Sequence, residues 1–194
     1  MEKLPEIIGL AGTNGAGKDT LGDLRFSRQG ARKVSLSDIL RTEADKRGLS
    51  HERQNLGAIS TEWGSKFGAG ALSAMTIQNF YETRESTESG LSIVSIRRPD
   101  EARTIQTEGG VVLWVDAARE IRYERILAAN RGRVTDVKTF EEFCFEEDRE
   151  MNPRSDDPFV LNMAGVRDVS DIHLINEFNS KESFERDLID RFGL

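Results

Sequence analysis

The chain has 194 residues, 37% of them hydrophobic and 31% charged, which fits one folded domain with a sizeable core and excludes a disordered or fibrous chain. A formal charge of −7 opposes general attraction to nucleic acid, because non-specific binding to that polyanion is driven by Lys and Arg, so any phosphate site must be local. Cys144 is the single cysteine and His51 and His173 lack partners for a zinc site, so a reducing, cytoplasmic setting with no disulfide and no dedicated zinc is expected.

Residues 6–11 read as a short apolar strand, too short for a membrane span, that ends in a glycine-rich turn and feeds a helix over 18–28. A second strand is expected over 31–35, with Ser37 capping a helix over 38–47 that Gly48 stops. The pattern over 50–83 is helical with a break near Gly68 and Gly70. The third strand, 91–96, is apolar and β-branched, and Pro99 opens the next helix at its first position. Residues 111–115 repeat the strand signal, a helix follows over 118–130, and Thr139 with Glu142 forms a capping box for a helix reaching about Met151. Asp157-Pro158 should start a short helix, 172–175 is the fifth strand, and the last helix lines up Phe184, Leu188, Ile189 and Phe192 on one face.

Strands alternating with helices predict an α/β/α three-layer sandwich around a five-stranded parallel sheet. Such sheets collect ligands outside the carboxyl ends of their strands. The sharpest motif sits at one of those ends. Gly12-Thr13-Asn14-Gly15-Ala16-Gly17-Lys18-Asp19-Thr20 matches the loop in which backbone N–H groups wrap a nucleotide's phosphates and a lysine reaches the β and γ oxygens. The glycines allow close backbone approach, and the following helix points its positive end at the anion. Asp19 stands where Ser or Thr normally offers a hydroxyl to Mg²⁺, and Thr20 follows it. Asp19 therefore has two readings, a partner for metal-bound water or an acid suited to the first turn of a helix.

The loop's G-x-x-G-x-G-K-x-T form resembles the nucleoside-monophosphate kinases. Ser35-Leu36-Ser37-Asp38-Ile39-Leu40-Arg41 is similar to the segment after strand two in adenylate kinases, and Arg47-Gly48-Leu49, Asn55-Leu56-Gly57, Lys66-Phe67-Gly68-Ala69-Gly70-Ala71-Leu72, Ile96-Arg97-Arg98-Pro99-Asp100-Glu101 and Tyr123-Glu124-Arg125-Ile126 are similar to a group of archaeal nucleotide kinases related to adenylate and dephospho-coenzyme A kinases. The resemblance implies a single P-loop kinase domain over 1–194, with a helical acceptor-binding insertion at about 37–84 and a short lid at about 130–138. It implies ATP and Mg²⁺ as cofactors and a small phosphate-bearing acceptor. It also implies roles: Lys18 on the triphosphate, Arg41 and Arg97 on the acceptor phosphate with Asp38 fixing Arg41 or the acceptor, and Arg131 and Arg133 closing over the transferred group. In that group strand three ends with an aspartate, and here Ser95 occupies the place.

Other readings stay open on the residues alone. The acceptor could be dephospho-coenzyme A. The chain could also be a hydrolysing switch with Asp116 as its metal-binding aspartate, or a binding protein without turnover. Arg119 and Arg122 read as a wet helix face among Glu120 and Glu124, and Cys144 as a small buried thiol among Phe140, Phe143 and Phe145. Trp63 and Trp114 are expected in the core or a pocket wall.

Overall fold

A computed structural model describes residues 2–129, 139–152 and 160–194. The elements run β1 (Ile7–Gly12), α1 (Asp19–Gln29), β2 (Arg32–Ser35), α2 (Leu36–Lys46), α3 (Arg53–Phe67), α4 (Ala71–Thr83), β3 (Leu91–Val94), α5 (Pro99–Thr107), β4 (Val111–Asp116), α6 (Arg119–Ala128), α7 (Phe140–Met151), α8 (Met163–Val169), β5 (Ile172–Ile175) and α9 (Lys181–Phe192). The strands form one parallel sheet in the order β2-β3-β1-β4-β5. The expected fold class is the observed one.

Side chains alternate across the sheet with the period of two that strands impose. Ile7 and Ala11 of β1, Ile93 of β3 and Val112 and Trp114 of β4 face α2, α4, α5 and α8, where they pack with Leu36, Leu72, Phe80, Ile105 and Val166. Ile8, Leu10, Val94, Leu113 and Val115 face the other way, onto Leu21 and Leu24 of α1 and Phe184, Leu188 and Phe192 of α9. All six residues of β1 are buried, as the central strand of a sheet covered on both faces requires. Trp114 is in the core and Trp63 packs half-buried against it.

The helix boundaries follow local chemistry. Thr139 and Glu142 make the capping box read from the sequence. The cap of α2 is Ser35 rather than Ser37: Leu36 must be buried, so the helix opens directly from the strand, and extended Ser35 accepts the Asp38 N–H. The predicted helix start at Asp157-Pro158 lies outside the described residues. Cys144 is only partly buried, as is every better-covered position of α7, a helix with no fully buried residue.

Two buried arginines knit layers together. Arg25 of α1 donates from Nη1 to the Leu91 carbonyl and Ser92 Oγ and from Nη2 to the Pro5 and Glu6 carbonyls, tying the entry to β1 to the start of β3. No carboxylate offsets its charge in these bonds, and burial pushes its guanidinium down to about 10. Arg98, almost wholly enclosed, pairs with Glu101 one turn into α5 and reaches the Ser60 carbonyl of α3 at 3.4 Å. Glu101 in turn accepts the Arg97 and Arg98 N–H groups, which fixes the chain direction just past β3.

Candidate active site

Because every strand runs the same way, the segments after β1, β2, β3, β4 and β5 gather at one edge of the sheet. The loop 12–20 occupies the middle of that edge, after the central strand. Arg41 and Arg97 follow β2 and β3 on one side of it, and Asp116 and Asn176 follow β4 and β5 on the other. Four of the sequence-predicted site segments are thus brought to one place, while Arg131 and Arg133 lie outside the described residues.

The loop's shape is held from outside. Thr13 Oγ1 donates to Asp116 Oδ1 at 2.7 Å, and that carboxylate also accepts the Ala117 N–H at 2.8 Å and Trp114 Nε1 at 3.4 Å. Asn176 Nδ2 donates to the Ala16 carbonyl at 2.8 Å, while Arg125 donates to Asn176 Oδ1 and the Phe178 carbonyl. Arg122 Nη1 reaches the Asn14 carbonyl at 3.3 Å. These bonds occupy the Asn14 and Ala16 carbonyls. Among the described residues, no protein acceptor takes the N–H groups of Gly15 and Gly17, and Lys18 leads directly into the first turn of α1. Backbone donors, a lysine and a helix N-terminus therefore converge, which is the donor set that suits a chain of phosphates. A Cβ on Gly15 would lie 2.7 Å from the Arg122 carbonyl oxygen, so the close packing of this turn on α6 needs glycine.

Arg122 corrects the reading of α6 as a wet face. Its side chain is 2% exposed: Nε donates to the Ala117 carbonyl at 2.7 Å, both Nη atoms bond Glu147 of α7, and the guanidinium lies over the Phe143 ring. Arg119 is partly exposed but is also engaged, bonding Glu147 and Asp148, the latter raising its already high pKa. The acids that solvate these arginines come from a helix some 25 positions onward rather than from water.

Asp19 occupies the first turn of α1 and lies 3.8 Å from Lys33 Nζ, whose nearer partner is Asp23 at 2.7 Å. Thr20 is buried beneath the loop. Among the described residues no group of three or more His, Cys, Asp or Glu forms a cage for a metal. A metal at this loop would therefore have to draw most of its ligands from something other than these side chains.

After β2, Arg41 and Asp38 form an ion pair on the exposed face of α2. Arg97 Nη1 lies 3.4 Å from Glu150 Oε2 of α7. Between the two, Ser95 directly follows β3 with φ 66°, the only non-glycine residue at positive φ among those described, and its hydroxyl lies 3.4 Å from that of Ser35. A left-handed backbone costs an L-residue about 1–2 kcal/mol, and glycine there gives back part of the gain through chain entropy. Ser95→Gly is therefore expected to raise stability by roughly 0.5–1 kcal/mol, and a higher urea midpoint at unchanged slope would show it. A lower midpoint would mean that the hydroxyl contact outweighs the strain.

No protein-family model matches the chain. A UPF0200 protein of Pyrobaculum aerophilum is 27% identical over 186 residues, covering 94% of each chain. One of Thermococcus gammatolerans is 29% identical over 185 residues, covering 93% of this chain and 90% of the relative. The chain is similar to UPF0200 proteins. Among solved structures, TT1252 of Thermus thermophilus covers 97% of this chain and 98% of its own at a TM-score of 0.57 and 16% identity. Shikimate kinase of Acinetobacter baumannii in complex with shikimate covers 98% and 93% at 0.54 and 14% identity, and a gluconokinase of Sinorhizobium meliloti covers 97% and 92% at 0.50 and 13%. At such identities these likenesses carry the fold alone. The chain has a P-loop kinase-like fold. No helix among the described residues is long and apolar enough to cross a membrane.

Proposed function

We propose that this protein is an ATP-dependent phosphotransferase that passes the γ-phosphoryl group of ATP to a small phosphate-bearing acceptor, a nucleoside monophosphate first among them. The observation that carries the reading is the loop 12–20, whose Asn14 and Ala16 carbonyls are held by Arg122 and Asn176 while the N–H groups of Gly15 and Gly17, close to Lys18 in sequence, meet no protein acceptor among the described residues. Phosphoryl transfer asks little covalent chemistry of a protein and much positioning and charge stabilisation. In this reading the loop and Lys18 hold the triphosphate, Arg41 and Arg97 orient the acceptor phosphate for direct in-line attack, and Asp38 holds Arg41. Arg131 and Arg133 of the proposed lid, 130–138, would cover the transferred group, and 37–84 would form the acceptor-binding insertion of a single domain. Mg²⁺, when bound, would supply charge neutralisation on the phosphates, with Asp19 as the residue to hold its water and Thr20 placed on the α-phosphate.

The test is ADP release from ATP and Mg²⁺ across ribo- and deoxynucleoside monophosphates, dephospho-coenzyme A, shikimate and gluconate. Acceptor-dependent release with a phosphate-bearing compound is the expected result, and silence with every acceptor overturns the reading. Lys18→Ala should weaken ATP binding by about a hundredfold, the loss of charge-assisted bonds worth about 3 kcal/mol, as titration calorimetry would read. One observation favours a second reading, a hydrolysing switch: Asp116, ending the strand beside the loop, is bonded to Thr13 and so is positioned to sense the nucleotide. ATP hydrolysis that no acceptor accelerates and that Asp116→Asn abolishes would support it.

A further inference from the structure

Glu150 of α7 sits between two arginines that come from different parts of the chain. Its Oε2 is 3.4 Å from Arg97 Nη1, after β3, and its Oε1 is 2.5 Å from Arg53 Nη1, at the start of α3. Glu146, one turn earlier, is a further 3.8 Å from Arg53. The carboxylate is largely enclosed, at 23% exposure, while Arg53 and Arg97 keep 59% and 37% of their side chains open to solvent. Oε1 is buried and accepts no aligned hydrogen bond, so its approach to Arg53 is a charge contact without the paired geometry that makes guanidinium–carboxylate bonds strong. Arg98, the neighbour of Arg97, is by contrast fully committed to Glu101 and Ser60.

We infer that Arg53 and Arg97 together form the anion subsite for the acceptor, and that Glu150 is a resident anion which the acceptor's phosphate must displace. The inference rests on the phosphotransferase reading and deepens it by adding Arg53 to Arg97 and Arg41 on the acceptor phosphate and by naming Glu150 as a specificity-determining group. A phosphate monoester brings two charges and three acceptor oxygens, enough to engage two separate guanidinium forks, whereas the single carboxylate leaves one contact unaligned. The exchange therefore favours a dianion over Glu150, while a neutral hydroxyl acceptor offers nothing that would move it. Selection for a phosphate-bearing acceptor is built into the contest. Because α7 is also fastened to α6 through Arg119 and Arg122, displacement frees only the Glu150 end of the helix.

Inorganic phosphate titrated calorimetrically into protein saturated with Mg²⁺ and a non-hydrolysable ATP analogue tests this, since the analogue fills the loop 12–20 and leaves the acceptor side. Glu150→Gln, nearly isosteric, should bind phosphate about fivefold to tenfold more tightly than the wild type. Arg53→Ala and Arg97→Ala should each weaken it, and the gain from E150Q should shrink in the E150Q/R53A double variant, where only Arg97 is left to be freed. Should E150Q fail to fold, the two arginine variants measured alone carry the same comparison. With analogue bound, phosphate heats that are the same in wild type and E150Q, or an unaffected R53A, overturn the inference and leave the phosphotransferase reading standing. Failure of the analogue to bind at all overturns both.

Discussion

Arg122→Ala is expected to cost about 3–5 kcal/mol of stability, the range seen when one partner is removed from a buried ion pair. The side chain is enclosed, and its removal leaves Glu147, at 11% exposure, with Arg119 alone among the described residues to offset its charge. It also deprives the Ala117 and Asn14 carbonyls of a donor and empties the space over Phe143. A series of variants separates these contributions. Arg122→Met keeps much of the packing but still leaves Glu147 unpaired, so it should remain destabilised by most of the same amount. R122M combined with Glu147→Met should recover the larger part, because replacing both members of a buried pair with apolar residues is often neutral. Urea unfolding of the three variants reads the ladder. A single R122M within about 1 kcal/mol of the wild type would show that water reaches Glu147 and that the pair is not sealed.

Gly12→Ala is expected to be more damaging for the loop itself. Gly12 has φ 146°, a conformation that a residue with a β-carbon rarely adopts, and a Cβ built there overlaps the carbonyl of Val115, its partner across the β1–β4 ladder. Neither side has slack, since both strands lie inside the sheet and Val115 is itself buried. Backbone strain of about 1–3 kcal/mol adds to a clash with main chain rather than with a flexible side-chain tip, giving about 4 kcal/mol or more. Loss of soluble protein, or a collapse of the thermal midpoint, is the expected measurement. A variant that melts within a few degrees of the wild type would show that β4 can shift to admit a methyl group.

The fold was readable wherever a residue's neighbours in sequence are also its neighbours in space. Strands of apolar, β-branched residues ended at glycines, Thr139 and Glu142 lie one helical turn apart, and the loop 12–20 declares itself through spacing. Ser35 and Ser37 show the limit of that rule: both can cap a helix, and the choice fell to Leu36, whose burial depends on the sheet packing behind it. Burial of charge was less accessible still. Arg122 looks wet beside Glu120 and Glu124, and only the folded arrangement brings Glu147 and Phe143 over it. Asn176 resembled a fragment of nothing in particular, because its task is to grip a carbonyl 160 positions away. Arg53 carried no motif either, standing amid a polar helix start whose significance lies in what α7 brings to it.

The phosphate loop is written in the first twenty residues, yet its curvature is enforced by Arg122 and Asn176, whose bonds to it span 108 and 160 positions. Closing such long spans is the slow part of building a parallel sheet, since the chain loses entropy before any contact rewards it. During synthesis the glycine segment therefore emerges early but waits, unbraced, until β4 and then β5 have docked. On the proposed reading, competence to hold a triphosphate is a late event in maturation, and a nucleotide added during refolding should stabilise only chains whose last strand is already in place.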